Sequence, residues 1–153
     1  MTRMGKQTTA TCLLVLLCLA SNAYGQVAFV VNPDCPVSSL EMKELKLIYL
    51  GKISLLGGGV QVMLGGQESL EQKVFSQLLG MTPMKVRKYW VKSVFAGNRT
   101  RPPTSFSSPR RLREFVSDNP GAIAFLNLAD VDETVKVIAV ASVLPGNDGY
   151  PVD

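Results

Sequence analysis

A chain of 153 residues holds one domain, and a composition 46% hydrophobic and 18% charged belongs to a folded globule, outside the disordered range. The chain carries no histidine, three cysteines and a formal net charge of +4. The missing imidazole removes the commonest general base and transition-metal ligand, and papain-like thiol chemistry goes with it.

The first element is a leader. Arg3 and Lys6 form a basic start, and Leu13-Leu14-Val15-Leu16-Leu17-Cys18-Leu19-Ala20 follows as an apolar core too short to span a bilayer. Ala23 and Gly25 supply the small residues of a cleavage site before Gln26, so residues 1–25 read as an export signal. A retained anchor would call for a stop-transfer pattern. A lipoprotein signal would call for a small residue before the modified cysteine, where Leu17 is bulky. The expected protein is therefore exported, with a folded domain over residues 26–144, a loose tail at 145–153 and no membrane span. Cys12 and Cys18 leave with the signal, and Cys35 is left without a partner for an internal disulfide.

Val27, Phe29, Val30 and Val31 predict a buried strand, ended by Asn32-Pro33. Ser38-Ser39-Leu40-Glu41 fits a capping box, after which Leu45, Ile48 and Tyr49 recur at helical spacing up to Gly51. Gly57-Gly58-Gly59 marks a turn, and the alternation over residues 60–64 a strand. Gly65-Gly66 reads as a glycine turn into a second box, Ser69-Leu70-Glu71-Gln72, which opens a helix closed by Gly80. Thr82-Pro83 starts a third helix with Val86, Tyr89, Trp90 and Val94 inward and Lys85, Lys88 and Lys92 outward. Residues 98–107 read as a polar loop and Ser108-Pro109 as the cap of a fourth helix. Residues 122–126 and 135–140 predict two more strands, with a short helical turn over 129–133. Strands interleaved with helices in this order make an α/β domain, a mixed sheet flanked by helices.

Chemistry is sparse. No Gly-x-Ser-x-Gly elbow and no phosphate-cradling Walker loop is present. Asp130, Asp132 and Glu133 could crowd around a hard cation, though a short acidic turn more often simply faces water. No metal, cofactor or catalytic residue is assigned, and the expected role is binding rather than catalysis. Lys85, Arg87, Lys88, Lys92, Arg99, Arg101, Arg110, Arg111 and Arg113 form a block without an acid among residues 85–113. Such a block fits an anionic partner, and a solvated face fits it as well. Nucleic acid is not expected, since no aromatic platform is interleaved with these cations. The junction at Gly65-Gly66-Gln67-Glu68-Ser69-Leu70 would expose N–H groups at a helix start and form an oxyanion site. Capping would satisfy the same N–H groups.

Three stretches carry a family resemblance. The first is Val30-Val31-Asn32-Pro33 with Pro36-Val37-Ser38-Ser39-Leu40 and Ile48-Tyr49-Leu50-Gly51-Lys52-Ile53. The second is Lys88-Tyr89-Trp90 with Val94-Phe95-Ala96-Gly97 and Pro102-Pro103. The third is Asn119-Pro120-Gly121-Ala122-Ile123-Ala124-Phe125. Together they resemble small periplasmic phosphate-binding-protein-like domains, relatives of the substrate-binding component of phosphate ABC transporters. The resemblance implies a type II periplasmic-binding-protein fold, a periplasmic location and oxyanion binding. Full-length receptors of this kind clamp phosphate between two lobes, with an Arg-x-x-x-Ser-Gly-Thr turn facing the anion. Ser69 matches its serine, while Gly65, Leu70 and Glu71 stand at the other recognisable positions. Expected length and resemblance together describe a single lobe.

Two functions follow as expectations. In one, phosphate or a related oxyanion is held by Gln67, Ser69, Leu70 and Glu71, in connection with ABC transport. In the other, a ligand-free module docks on an envelope or membrane transporter or receptor protein through Lys88, Lys92, Arg110 and Arg111.

Overall fold

The computed structural model describes residues 25–152, so the expected leader, Gly25 apart, lies outside the described residues. Strand β1 (Val27–Val31) is buried along its whole length, as an apolar run covered on both faces should be. Strand β2 (Ser39–Leu40) precedes helix α1 (Met42–Tyr49). The expected box at Ser38 moves by three residues: Glu41 is the N-cap and its backbone N–H donates to the Glu44 carboxylate at 2.9 Å. Pairing of Ser39–Leu40 as a strand holds that segment extended and delays the helix. Gly51, at φ 69°, terminates it.

Strands β3 (Leu55–Leu56) and β4 (Val60–Gln61) form a small hairpin. Strand β5 (Met63–Gln67) comes next. A 3-10 turn (Glu68–Leu70) runs into α2 (Glu71–Val74) and a π turn (Phe75–Leu79), ended by left-handed Gly80. Helix α3 (Pro83–Phe95) starts on the Thr82 cap and the proline that follows it, as expected. Strand β6 (Thr104–Phe106), helix α4 (Pro109–Asp118), strand β7 (Ala122–Asn127), a 3-10 turn (Leu128–Asp130) and strands β8 (Lys136–Val137) and β9 (Ala139–Val140) complete the order.

The main sheet runs β6-β5-β7-β1-β8. Strands β6, β5 and β7 are mutually parallel, and β1 lies antiparallel to both β7 and β8. Side-chain alternation splits the core in two. Val27, Phe29, Val31, Ile123 and Phe125 point to the face covered by α1, α2 and α3, joining Tyr49, Phe75 and Trp90. Val30, Ala122, Ala124 and Leu126 point to the other face, under Leu112 and Val116 of α4. This is a mixed sheet flanked by helices, as the element order predicts.

Six further local expectations are corrected. The box expected at Ser69 does not form: the 3-10 turn starts after Gln67, and neither it nor α2 has a side-chain cap. Val94, expected inward on α3, is exposed, because the core side of that helix is taken by Val86 and Trp90. Gly65 and Gly66 are not a turn but the middle of β5. Their role is space: a Cβ on Gly66 would lie 2.2 Å from Cζ of Phe125, and one on Gly65 would lie 3.0 Å from Cε1 of Phe115 on the opposite face. Residues 135–140 are not one strand, because β8 pairs with β1 and β9 pairs in parallel with β2, with buried Ile138 between them. Within the expected loop at 98–107, Thr104–Phe106 adds an edge strand to β5. Proline is tolerated just before such an edge. The tail expected to be loose instead returns Tyr150 and Val152 to the core, where two large apolar surfaces outweigh the entropy of ordering a glycine-rich segment.

Two measurements check this packing. Gly66→Ala should lower unfolding stability by about 3 kcal/mol in urea titration, since the overpacked ring is itself wedged among other rings. Truncation after Leu144 should cost roughly 3–6 kcal/mol, the burial of one tyrosine and one valine. An unchanged midpoint for the truncated protein would show that Tyr150 and Val152 add nothing to the core.

Candidate functional site

Three parallel strands deliver their carboxyl ends to one edge of the sheet. Gln67 of β5 stands beside Phe106 of β6, and on the other side Gly66 stands beside Phe125 of β7. Beyond Gln67 the chain turns to the face of α2 and α3. Beyond Phe106 it passes through Ser107-Ser108 to α4, on the opposite face. Neighbouring strands whose exits diverge in this way leave a crevice between them, the usual ligand position in open α/β sheets. Two helix starts therefore flank one gap.

The side chains at this gap are mostly polar and exposed. Ser69 and Glu68 face solvent, Glu71 is half-buried and Ser107 is exposed. The Oε1 of Gln67 accepts from the backbone N–H of Asn127 at 2.9 Å, extending the β5–β7 ladder by one side-chain bond. That bond fixes the amide, leaving both Nε2 protons as donors. Leu70 is buried in the core and can present only its backbone. The Glu71 N–H donates to the Glu68 carbonyl, so one of the two backbone donors expected for an anion is engaged within the helix. Across the gap, Ser108 Oγ accepts from the Arg111 N–H at 3.3 Å and caps α4. Arg111 is exposed and has no carboxylate partner among the described residues, while Arg110 pairs with Glu114 at 2.9 Å.

The four cations of the expected docking face do not form one patch. Lys88 and Lys92 lie on α3 and Arg110 and Arg111 on α4, helices packed on opposite faces of the sheet. The sequence places them in one block, but the β6 crossover between them separates them. Of the acidic turn, the Asp132 carboxylate is committed as well. Asp132 pairs with Arg113 Nε at 2.9 Å and accepts from the Thr134 N–H, while Arg113 Nη1 donates to the Asp130 carbonyl at 2.7 Å. Sequence reasoning missed that Ser107 leaves a strand lying beside the one that leads to Ser69, because that relation exists only through the pairing of β5 with β6. The one signal available was a helix cap directly after the short alternating run Thr104-Ser105-Phe106.

No protein-family model matches the sequence, and neither does any curated protein. Solved structures do match. An ABC-type phosphate transport receptor from Vibrio cholerae superposes at a TM-score of 0.59 with 21% identity, over 83% of this chain and 52% of that one. PstS from Borrelia burgdorferi gives 0.62 at 14% identity, over 83% and 53%. A protein described as a phosphate ABC transporter substrate-binding protein, with bound phosphate, from Clostridium perfringens gives 0.59 at 19% identity, over 77% and 46%. The fold is a single lobe of the periplasmic phosphate-binding-protein type. The chain spans about half the length of the receptors it matches. Identities of this size carry the fold, and the site must be argued on its own residues.

The ion pair at Asp132 makes a pH prediction. Its hydrogen bonds to Thr134, with the nearby Arg113 charge, hold the carboxyl below its usual 3.8. A carboxyl lowered in the folded state stabilises it above the ordinary carboxylate range, and that contribution is lost as pH falls through the lowered value. Asp132→Asn should therefore shrink the acid-side fall of the unfolding midpoint below about pH 4. An acid limb that superposes on the wild type would show that the pair makes no contribution.

Proposed function

We propose that this chain is a periplasmic substrate-binding-protein-like lobe that takes up phosphate or a related oxyanion at the gap between β5 and β6. The observation that supports it is the divergence of the two strand exits, which sets the helix start at Glu68 and the helix start at Pro109 on either side of one crevice. Hydroxyls of Ser69 and Ser107, the Nε2 group of Gln67 and the positive ends of both helix dipoles would face the anion. The Leu70 N–H remains a candidate donor, and Glu71 contributes through its position beside the gap rather than through its own N–H. Arg111 adds a positive charge nearby.

Glu68 and Glu71 shape the selectivity. A fully ionised oxyanion meets their repulsion, whereas hydrogen phosphate can donate its proton to a carboxylate. Phosphate is therefore the better ligand and sulfate the poorer one. With one lobe the site stays open to water, where charge–charge attraction is heavily screened, so affinity is low. Export by the leader at residues 1–25 and delivery of ligand to a membrane transporter complete the reading, with no catalytic step.

Isothermal titration of the mature protein decides it. Phosphate should give saturable heat in the millimolar range with sulfate weaker, and Ser69→Ala combined with Ser107→Ala should weaken phosphate about tenfold, or about 1.4 kcal/mol. No heat from phosphate at millimolar concentration, or equal binding by the double variant, would remove this reading.

A further inference from the structure

Helix α3 has an apolar side that the fold does not use. Val86 and Trp90 point into the core, yet Met84, Val91, Val94 and Phe95 point outward, at 60%, 56%, 48% and 87% exposure. Their spacing of seven, three and four residues lines them up as one stripe along the helix. Val91, Val94 and Phe95 of the stripe line a groove of about 450 Å³, with Phe75 and Trp90 among its walls, Pro102 and Pro103 on the side of β6, and Glu71 as its one acidic lining residue. Arg87 lines the same groove, and Lys88 and Lys92 follow along the exposed side of the helix. None of the three has a carboxylate partner among the described residues.

We propose that this groove docks an acidic amphipathic helical segment of another protein, its apolar side chains entering the groove and its carboxylates meeting Arg87, Lys88 and Lys92. Two other occupants fit less well. A second copy presenting the same stripe would set these cations against themselves, a repulsion that disfavours the pairing. A bilayer offers anionic headgroups but no side-chain knob for a recess beside the stripe. An amphipathic helix with anchors at i, i+3 or i+4 and i+7 supplies both the knobs and the charge. The groove meets the oxyanion crevice at Glu71, which lines it, whereas the apolar stripe and the three cations take no part in that crevice.

The test places a photo-crosslinking residue at Val91 in the full chain, expressed in its native cells, and sequences the captured segment. The expected product is a segment of another protein with net negative charge and apolar residues at helical spacing. Made as a synthetic peptide, that segment should bind the purified protein. Its affinity should fall about tenfold both in Arg87→Glu/Lys88→Glu and in Phe95→Ser. All of these changes lie at exposed positions, and an unchanged unfolding midpoint confirms that the fold survives. Ser69→Ala should leave the crosslink intact, which separates this result from the fate of the phosphate reading. Capture of this same chain, of lipid, of a neutral or basic segment, or of no protein at all would overturn the proposal.

Discussion

The ring of Phe125 needs room in the middle of the sheet, and the layout of the lobe follows from that need. Its centroid lies 5.7 Å from Tyr49 and from Phe75 and 6.1 Å from Phe29, so elements from α1, β1 and the π turn all close on it. Such an arrangement has no space for a side chain on the adjoining strand at Gly66. Tyr49 then donates its hydroxyl to the Gly65 carbonyl at 3.0 Å, a buried bond that ties α1 to β5. Burial pushes that phenol well above its ordinary pKa, so the hydroxyl stays a donor throughout the working pH range. With β5 fixed in this way, the position of Gln67 and the start of the following helix are fixed too.

Much of this was readable from residues alone, and the failures share one cause. Long periodic stretches gave themselves away: the all-apolar β1, the Thr82-Pro83 start of α3 and the Ser108-Pro109 start of α4 stand where their patterns put them. Gly65-Gly66 misled because a glycine pair signals a turn locally, whereas here it answers a ring more than fifty residues away in sequence. The break at Ile138 and the strand at Thr104–Phe106 likewise depend on distant partners, β1 with β2 in one case and β5 in the other. Tyr150 and Val152 looked like a tail because Pro, Gly and Asp surround them, although two apolar residues suffice to anchor such a stretch. The proposed oxyanion site was half legible. Ser69 lies on a pattern, but Ser107 gains meaning only from the pairing of strands.

The short segment from Pro102 to Ser107 borders both surfaces. Its prolines line the groove beside α3, its middle residues complete the sheet edge, and its last serine directly follows Phe106, the register partner of Gln67. Such an edge strand of three residues, exposed on its outer side, is easily displaced compared with the buried strands at the centre. A neighbour seated against the prolines would therefore touch the same element that carries one wall of the crevice.

The order of strands has a consequence for how the molecule is made. The strand nearest the start of the domain, Val27–Val31, has its sheet partners at residues 122–127 and 136–137, and Val152 fills part of the core beside it. A chain emerging from the ribosome thus carries an unpaired apolar strand until nearly all of the remainder has been made, and closure of the sheet is correspondingly slow. Until then that apolar strand stays exposed and open to association with other chains.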